Sequence, residues 1–292
     1  MLQDFIFVFV AGLMTALATG MGAIPFFFIE EFSDRWNVAL WGIASGIMVS
    51  ASLFGLINEG LAYAAGGLPT LMVGGLLAGV VLVEVSDRVL DGSDVGGRSE
   101  ADADTNDADT DESTGSPDAP IDVEAFAEDD PKKLVLILGI LTVHSFPEGV
   151  AVGVSFAELG FDGGIGILGL SVPVLAVFMT IAISIHNVPE GTAIAIPMRA
   201  MGLSKWRMVG AAIFSSLPQP IGAVIAFAFV RWAEAFLPFG FGFAAGAMIY
   251  LVLTEFIPEA LETGVDLPRS GYRELSAGIG AGVLLMVPLL FV

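Results

Sequence analysis

The sequence contains no cysteine, which excludes disulfides and thiolate metal sites, so any metal chemistry must use oxygen and imidazole ligands. Histidine is nearly absent too: the chain has two, His144 and His186. Charge is scarce, with 11 Lys+Arg, 32 Asp+Glu and 15% charged residues in all. Hydrophobic residues make up 55% of the sequence, which is above the roughly 45–50% of soluble domains. An ordinary soluble domain is therefore excluded.

The apolar residues form long runs rather than amphipathic stripes. A membrane-spanning helix needs about 20 apolar residues, whereas barrel strands alternate and have about 10. An eighth run is interrupted only by His144 and Glu148. We therefore predict an all-α membrane protein with eight transmembrane helices in one domain of residues 1–292. The runs are Phe5–Ile29, Trp36–Asn58, Leu61–Val83, Lys133–Phe156, Gly163–Ile185, Met208–Val230, Ala235–Thr254 and Leu275–Val292.

The basic residues indicate the orientation of these spans. Ten of the 11 Lys+Arg fall in alternate connections, and Arg231 is on the other side. Basic loops stay on the cytoplasmic side, so we predict a multi-pass cell-membrane protein with both termini outside. The ten residues are Arg35, Arg88, Arg98, Lys132, Lys133, Arg199, Lys205, Arg207, Arg269 and Arg273.

One polar segment interrupts the spans. Residues 91–130 carry 15 acidic residues and almost no large apolar ones, as in DADTNDADTDESTGSPD. Such a segment buries too little surface to fold, so we predict a disordered acidic cytoplasmic loop over residues 89–131. Its acidity is typical of a solvated linker, and a low-affinity cation sponge is the alternative.

Both histidines lie in a repeated pattern, HSFPEG (144–149) and HNVPEG (186–191). The spacing puts His144 with Glu148, and His186 with Glu190, on one helical face. Spans 4 and 5 are predicted to be antiparallel neighbours, so the four side chains meet at one depth. The alternative is a hydrogen-bonded His–Glu pair that locks two helices together. A duplicated pattern that uses every histidine favours a metal site between spans 4 and 5.

Proline and glycine follow each histidine. Pro147 and Pro189 lack an N–H and free carbonyl oxygens one turn earlier, which suits a cation path. Gly149 and Gly191 are predicted to let the two bent helices approach each other. Other glycines four apart, Gly75 with Gly79 and Gly242 with Gly246, indicate close helix packing.

Imidazole and carboxylate ligands together match a first-row divalent cation. Zinc fits best, with iron, manganese and cobalt as alternatives. Calcium does not fit, because it prefers an all-oxygen cage.

The paired hexads resemble the span 4 and span 5 signatures of the ZIP (Zrt/Irt-like) family of divalent-metal transporters, especially its prokaryotic zinc-uptake branch. GLMTALATGMGAIP, GIASGIMVSAS, SSLPQPIGAV and GAMIYLVLTEFIPEA are similar to the family's spans 1, 2, 6 and 7. The eight spans and the variable loop between spans 3 and 4 agree with this resemblance.

The resemblance implies a centre with two metal positions. His144, Glu148, His186 and Glu190 would form the first position. Ser145 and Asn187 would line the second, with Glu148 and Glu190 bridging both. Relatives often have a glutamate in span 6 where this chain has Gln219, which lowers the attraction for a second cation.

Two further polar pairs are candidate gates. Glu255 and Glu259 repeat the four-residue spacing near the predicted cytoplasmic end of span 7 and would receive metal on exit. A snorkelling interfacial pair is the alternative. Asn58 and Glu59, at the outer end of span 2, would attract cations at the entrance, or would simply be helix-end polar residues.

We therefore expect transport of divalent metal, zinc first and iron, manganese, cobalt or cadmium as alternatives, into the cytoplasm. The metal is the transported substrate, and no cofactor is expected. The expected partners are metal ions and the bilayer, with a homodimer open and no nucleic acid. An enzyme is not expected. A metal-dependent intramembrane hydrolase is the alternative, but both glutamates are used on the metal and leave no free base.

Overall fold

Eight helices pack side by side in the part of the chain that the computed structural model describes, residues 1–29, 32–63, 69–91, 131–161 and 163–288. A 3-10 turn, Ile24–Phe27, follows the first helix. Two strands, β1 (Ile165–Ile167) and β2 (Leu170–Val172), form an antiparallel hairpin before the fifth. The helices are α1 (Leu2–Met21), α2 (Asp34–Tyr63), α3 (Thr70–Asp91), α4 (Pro131–Ser155), α5 (Val174–Ala200), α6 (Lys205–Trp232), α7 (Glu234–Thr263) and α8 (Tyr272–Met286).

Helix α5 differs from the predicted fifth span, Gly163–Ile185. It begins at Val174, directly after Pro173, and continues to Ala200. The first part of the apolar run forms the hairpin instead, because Gly163 and Gly169 adopt positive φ angles of 102° and 81° that break a helix. As a result HNVPEG lies in the middle of the helix rather than at its end.

Three of the long helices are irregular. Helix α2 changes to a π-helix over Ala51–Ile57, and α7 does so over Val252–Phe256. Helix α6 breaks into two parts, Lys205–Ser215 and Pro218–Trp232. π-Helical turns inside α-helices occur frequently at functional sites, and Glu255 lies in the second of them.

The helices form two groups that share an apolar core. Helices α1, α4, α5 and α6 pack against one another; α8 packs along α2 and α3 along α7. The groups meet where α2 contacts α5 and α4 contacts α7. Met48, Met179 and Phe241 belong to the main buried cluster.

Glycine permits the close packing of α3 on α7, as the sequence predicted. A Cβ on Gly75 would collide with the carbonyl oxygen of Phe239, and one on Gly242 would collide with that of Met72. Gly74, one residue away, faces open space.

Six helices of the described residues are long and apolar enough to cross a membrane: α1, α2, α3, α5, α6 and α7. This agrees with a multi-pass helical membrane protein, while the count of eight spans stays a prediction. Residues 92–130, nearly all of the predicted acidic loop, lie outside the described residues.

Candidate metal centre

Three ligand side chains from α4 and α5 converge inside the protein. His186 Nε2 lies 3.2 Å from Glu148 Oε1 and 3.3 Å from Glu190 Oε1. The side chains of His186 and Glu148 are 0% exposed, and that of Glu190 is 2% exposed. One ligand atom from each lies within 4.8 Å of the others. We call these three residues the His186 cluster. Two carboxylates this deeply buried require a cation or protons nearby.

The repeated hexad explains this arrangement. His186 and Glu190 are one helical turn apart on α5, and Glu148 reaches them from α4. The ring of His186 stacks on Phe256 of α7, with centroids 5.2 Å apart, which fixes the imidazole between two helices.

The glycines after the glutamates allow a close approach, but to other helices than predicted. A Cβ on Gly149 would collide with the backbone of Gln219 in α6. A Cβ on Gly191 would collide with the carbonyl of Thr19 in α1. The expected approach of α4 to α5 at these glycines is therefore wrong. At these glycines α6 and α1 approach the site instead.

His144 belongs to a second group of ligands. Its Nε2 lies 3.1 Å from Asp87 Oδ1 of α3, and Glu255 of α7 completes a set of atoms within 4.8 Å of one another. We call Asp87, His144 and Glu255 the His144 cluster. Among the described residues, each of these two groups of three ligands contains one histidine, and neither contains both. Three of the four side chains predicted for one metal position, Glu148, His186 and Glu190, thus lie together, and His144 lies in the neighbouring cluster. The four-ligand position itself stays a prediction.

The sequence pattern does not single out Asp87. The apolar run of span 3 ends at Val83 because Glu84 follows it, and Asp87 therefore lies outside the predicted span. Helix α3 in fact continues to Asp91. The sequence signal for Asp87 is its position one helical turn after Glu84, in a helix that nothing in the sequence ends at Val83.

The residues predicted for the second metal position are buried, and hydrogen bonds link Asn187 and Gln219 to Glu148. Gln219 Nε2 donates to Glu148 Oε2, and Asn187 Nδ2 donates to Gln219 Oε1 at 3.0 Å and to the carbonyl oxygen of Thr15 at 2.7 Å. Ser145 is 1% exposed on α4, beside His144.

The predicted entrance residues line a cavity of about 220 Å³. Asn58 and Glu59 of α2 share this cavity with Glu158, Ser155 and Tyr63, and the Tyr63 hydroxyl donates to Glu158. We call it the Glu59 cavity.

The Glu59 cavity, the His186 cluster and the His144 cluster follow one another along helix α4. Ser155 lines the Glu59 cavity, Glu148 lies seven residues earlier, and His144 lies a further four residues earlier. At 1.5 Å per residue, the steps are about 10 Å and about 6 Å. Glu259, the other predicted exit residue, is one turn beyond Glu255 on α7 and is half-buried.

Residues 84–289 match the ZIP Zinc transporter family. That segment covers most of the chain and includes all six residues of the two clusters. The chain belongs to the ZIP family. The predicted resemblance is thereby confirmed, and the chain is a multi-pass membrane protein of that family.

Individual ZIP relatives align along most of the chain. Zinc transporter ZIPB of Bordetella bronchiseptica is 32% identical over 92% of this chain and 76% of its own length. Zinc transporter ZupT of Corynebacterium aurimucosum is 28% identical over 88% of both chains.

Other relatives are longer or align in part. Zinc transporter GufA of Myxococcus xanthus is 36% identical over 53% of this chain and 54% of its own length. A relative from Arabidopsis thaliana is 36% identical over 86% of this chain but 34% of its own length. The chain thus spans about a third to a half of the length of these two proteins.

Proposed function

We propose that this ZIP-family chain carries divalent metal ions, zinc first, across the cell membrane into the cytoplasm. The observation that supports this most strongly is the His186 cluster, two buried carboxylates on one buried imidazole. An intramembrane site of this composition would be costly without a cation. Iron, manganese, cobalt and cadmium share the same ligand preferences in part and remain candidate substrates.

The proposed path follows α4. Metal enters at the Glu59 cavity, binds in the His186 cluster and leaves through the His144 cluster, with Glu259 beyond it. Each step exchanges carboxylate and imidazole ligands, which release a cation more readily than a closed thiolate cage would.

The proposed architecture has eight spans within residues 1–292, the acidic segment between α3 and α4 (residues 92–130) in the cytoplasm, and both termini outside. In this proposal α4 and α8 would be the two spans in addition to the six helices that are long and apolar enough to cross a membrane. The alternation of basic residues supports this orientation, and a homodimer is compatible with it.

Transport is favoured over a metal-dependent hydrolase. The names of the relatives describe zinc transporters. In addition, Glu148 and Glu190 both lie within 3.3 Å of His186 Nε2, so each is positioned as a ligand rather than as a separate base.

Uptake of radioactive zinc into proteoliposomes tests the proposal. We expect Glu148→Ala and His186→Ala each to lower uptake by at least about tenfold, because loss of even a residue that supports a metal ligand costs roughly 10–100-fold in affinity or activity. Asp266→Ala is the matched control, since Asp266 is exposed in the α7–α8 connection. Undiminished uptake by both cluster variants would contradict the proposed site.

A further inference from the structure

The side chain of Gln219 takes up one oxygen of a glutamate in the His186 cluster. It is 0% exposed, in the first turn of the second part of α6, between Pro218 and Pro220. Its backbone packs directly on Gly149, next to Glu148, which places the buried side chain close to that glutamate. Its Nε2 donates to Glu148 Oε2, while Glu148 Oε1 faces His186.

The orientation of the amides follows from this contact. An ionised carboxylate only accepts hydrogen bonds, so Gln219 must present its NH₂ group to Glu148. Its Oε1 then faces Asn187, which must present its own NH₂ group to Gln219 and to the carbonyl oxygen of Thr15. Asn187 Oδ1 is left as a buried acceptor without a hydrogen bond in the described part of the chain. We call Asn187 and Gln219 the amide chain.

A count of charges shows what the amide chain changes. Glu148 and Glu190 carry two negative charges, which one divalent cation neutralises beside a neutral imidazole. A second divalent cation would leave two uncompensated positive charges in a site whose side chains are at most 2% exposed. Such an excess is strongly unfavourable in a low-dielectric interior. A carboxylate at position 219 would neutralise one of these two positive charges, whereas the Gln219 amide neutralises neither.

A second cation would also compete with the amide for one atom. To bridge two metal ions with one oxygen on each, Glu148 would have to offer Oε2, the oxygen that already accepts from Gln219. The hydrogen bond would have to break, and Gln219 and Asn187 would then both need new partners in a buried place.

We propose that Gln219 makes the His186 cluster a one-ion site, in which the amide takes the position beside Glu148 that a second cation would occupy. Glu148 then binds the single ion through Oε1 while the amide chain holds the carboxylate in place. This inference rests on the proposed function, since it concerns the same site. It departs from the two metal positions that the family resemblance implies.

X-ray absorption fine structure of zinc bound to the purified full-length chain tests the inference directly. Metal ions in two-metal sites lie about 3.5–4 Å apart and scatter as a pair. We expect no zinc–zinc shell in the wild type and a shell at that distance in Gln219→Glu. Gln219→Met, which removes the amide without adding charge, should show no pair. Adding Glu148→Ala to Gln219→Glu should abolish the pair, because the bridging carboxylate is gone.

The outcomes separate this inference from the proposed function. A zinc–zinc shell in the wild type, together with zinc uptake, would overturn the one-ion site and leave transport intact. A Gln219→Glu variant that binds zinc but shows no pair would also overturn it. A wild type that neither binds zinc nor takes it up would contradict the proposed function, and this inference with it. The wild-type measurement decides the main point even where a variant does not fold.

Discussion

At the scale of single residues, His144 and His186 provide a matched pair of buried imidazoles. Each begins an H-x-x-P-E-G pattern, and each is at most 1% exposed. Their neighbours differ, because His186 faces Glu148 and Glu190 while His144 faces Asp87. The two side chains should therefore contribute to different steps of transport.

We expect His186→Ala to weaken zinc binding by at least about tenfold, because it removes a direct ligand of the His186 cluster. His144→Ala should reduce uptake while leaving zinc affinity much closer to that of the wild type. Competition titration with a zinc-sensitive dye gives the affinity, and proteoliposome uptake gives the transport rate. An equal loss of affinity in both variants would instead indicate one four-ligand position, as the sequence alone predicts.

Much of the candidate site could be predicted from residue types and spacing. The hexads identified His186, Glu190 and Glu148 because carboxylate and imidazole on one face of an apolar helix are rare and costly. The contact of His144 with Asp87, rather than with the His186 cluster, could not be predicted in this way. It depends on how α3 and α7 pack against α4, and nothing in a local pattern encodes the rotation of one helix relative to another.

At the scale of helices, α3 and α7 pack closely because glycine, which has no side chain, lies where they meet. Gly75 is buried against the carbonyl of Phe239, whereas Gly74 is exposed with nothing within 4 Å of a Cβ. Adjacent glycines with opposite surroundings allow a clean comparison of one methyl group at two positions. The same pair of helices carries Asp87 and Glu255, so their spacing also sets the width of the His144 cluster.

We expect Gly75→Ala to destabilise the protein by about 1–3 kcal/mol, the usual cost of overpacking a tight interface. Gly74→Ala should have little effect, since its methyl group would point into open space. Thermal unfolding in detergent measures both variants, and zinc uptake should fall only in Gly75→Ala. Equal melting temperatures for the two variants would mean that α3 and α7 are further apart than described.

The helices themselves were predictable from run length, but their irregular parts were not. The glycines around residues 160–169 and Pro173 move the start of α5 to Val174, although every residue of Gly163–Ile185 is uncharged. The π-helical turns of α2 and α7 have no composition of their own. Run length and a sequence pattern of period 3.6 do not distinguish them from the α-helical turns on either side.

At the scale of the whole molecule, the distribution of basic residues predicts which connections face the cytoplasm. The α5–α6 and α7–α8 connections carry or adjoin Arg199, Lys205, Arg269 and Arg273. The β1–β2 hairpin contains no basic residue. The proposed direction of transport depends on this orientation, because it puts the Glu59 cavity outside and the His144 cluster toward the cytoplasm.

The lack of cysteine makes this orientation directly measurable, since each introduced cysteine would be the one thiol in the chain. Gly166→Cys lies in the hairpin, where a Cβ meets nothing within 4 Å. Ser204→Cys and Ser270→Cys lie at exposed positions of the two basic connections. We expect a membrane-impermeant maleimide to label Gly166→Cys on intact cells and the other two only after permeabilisation. The unmodified chain is the background control. The opposite labelling pattern would mean that the orientation in the membrane is reversed. Metal that binds at the Glu59 cavity would then be carried out of the cell rather than into it.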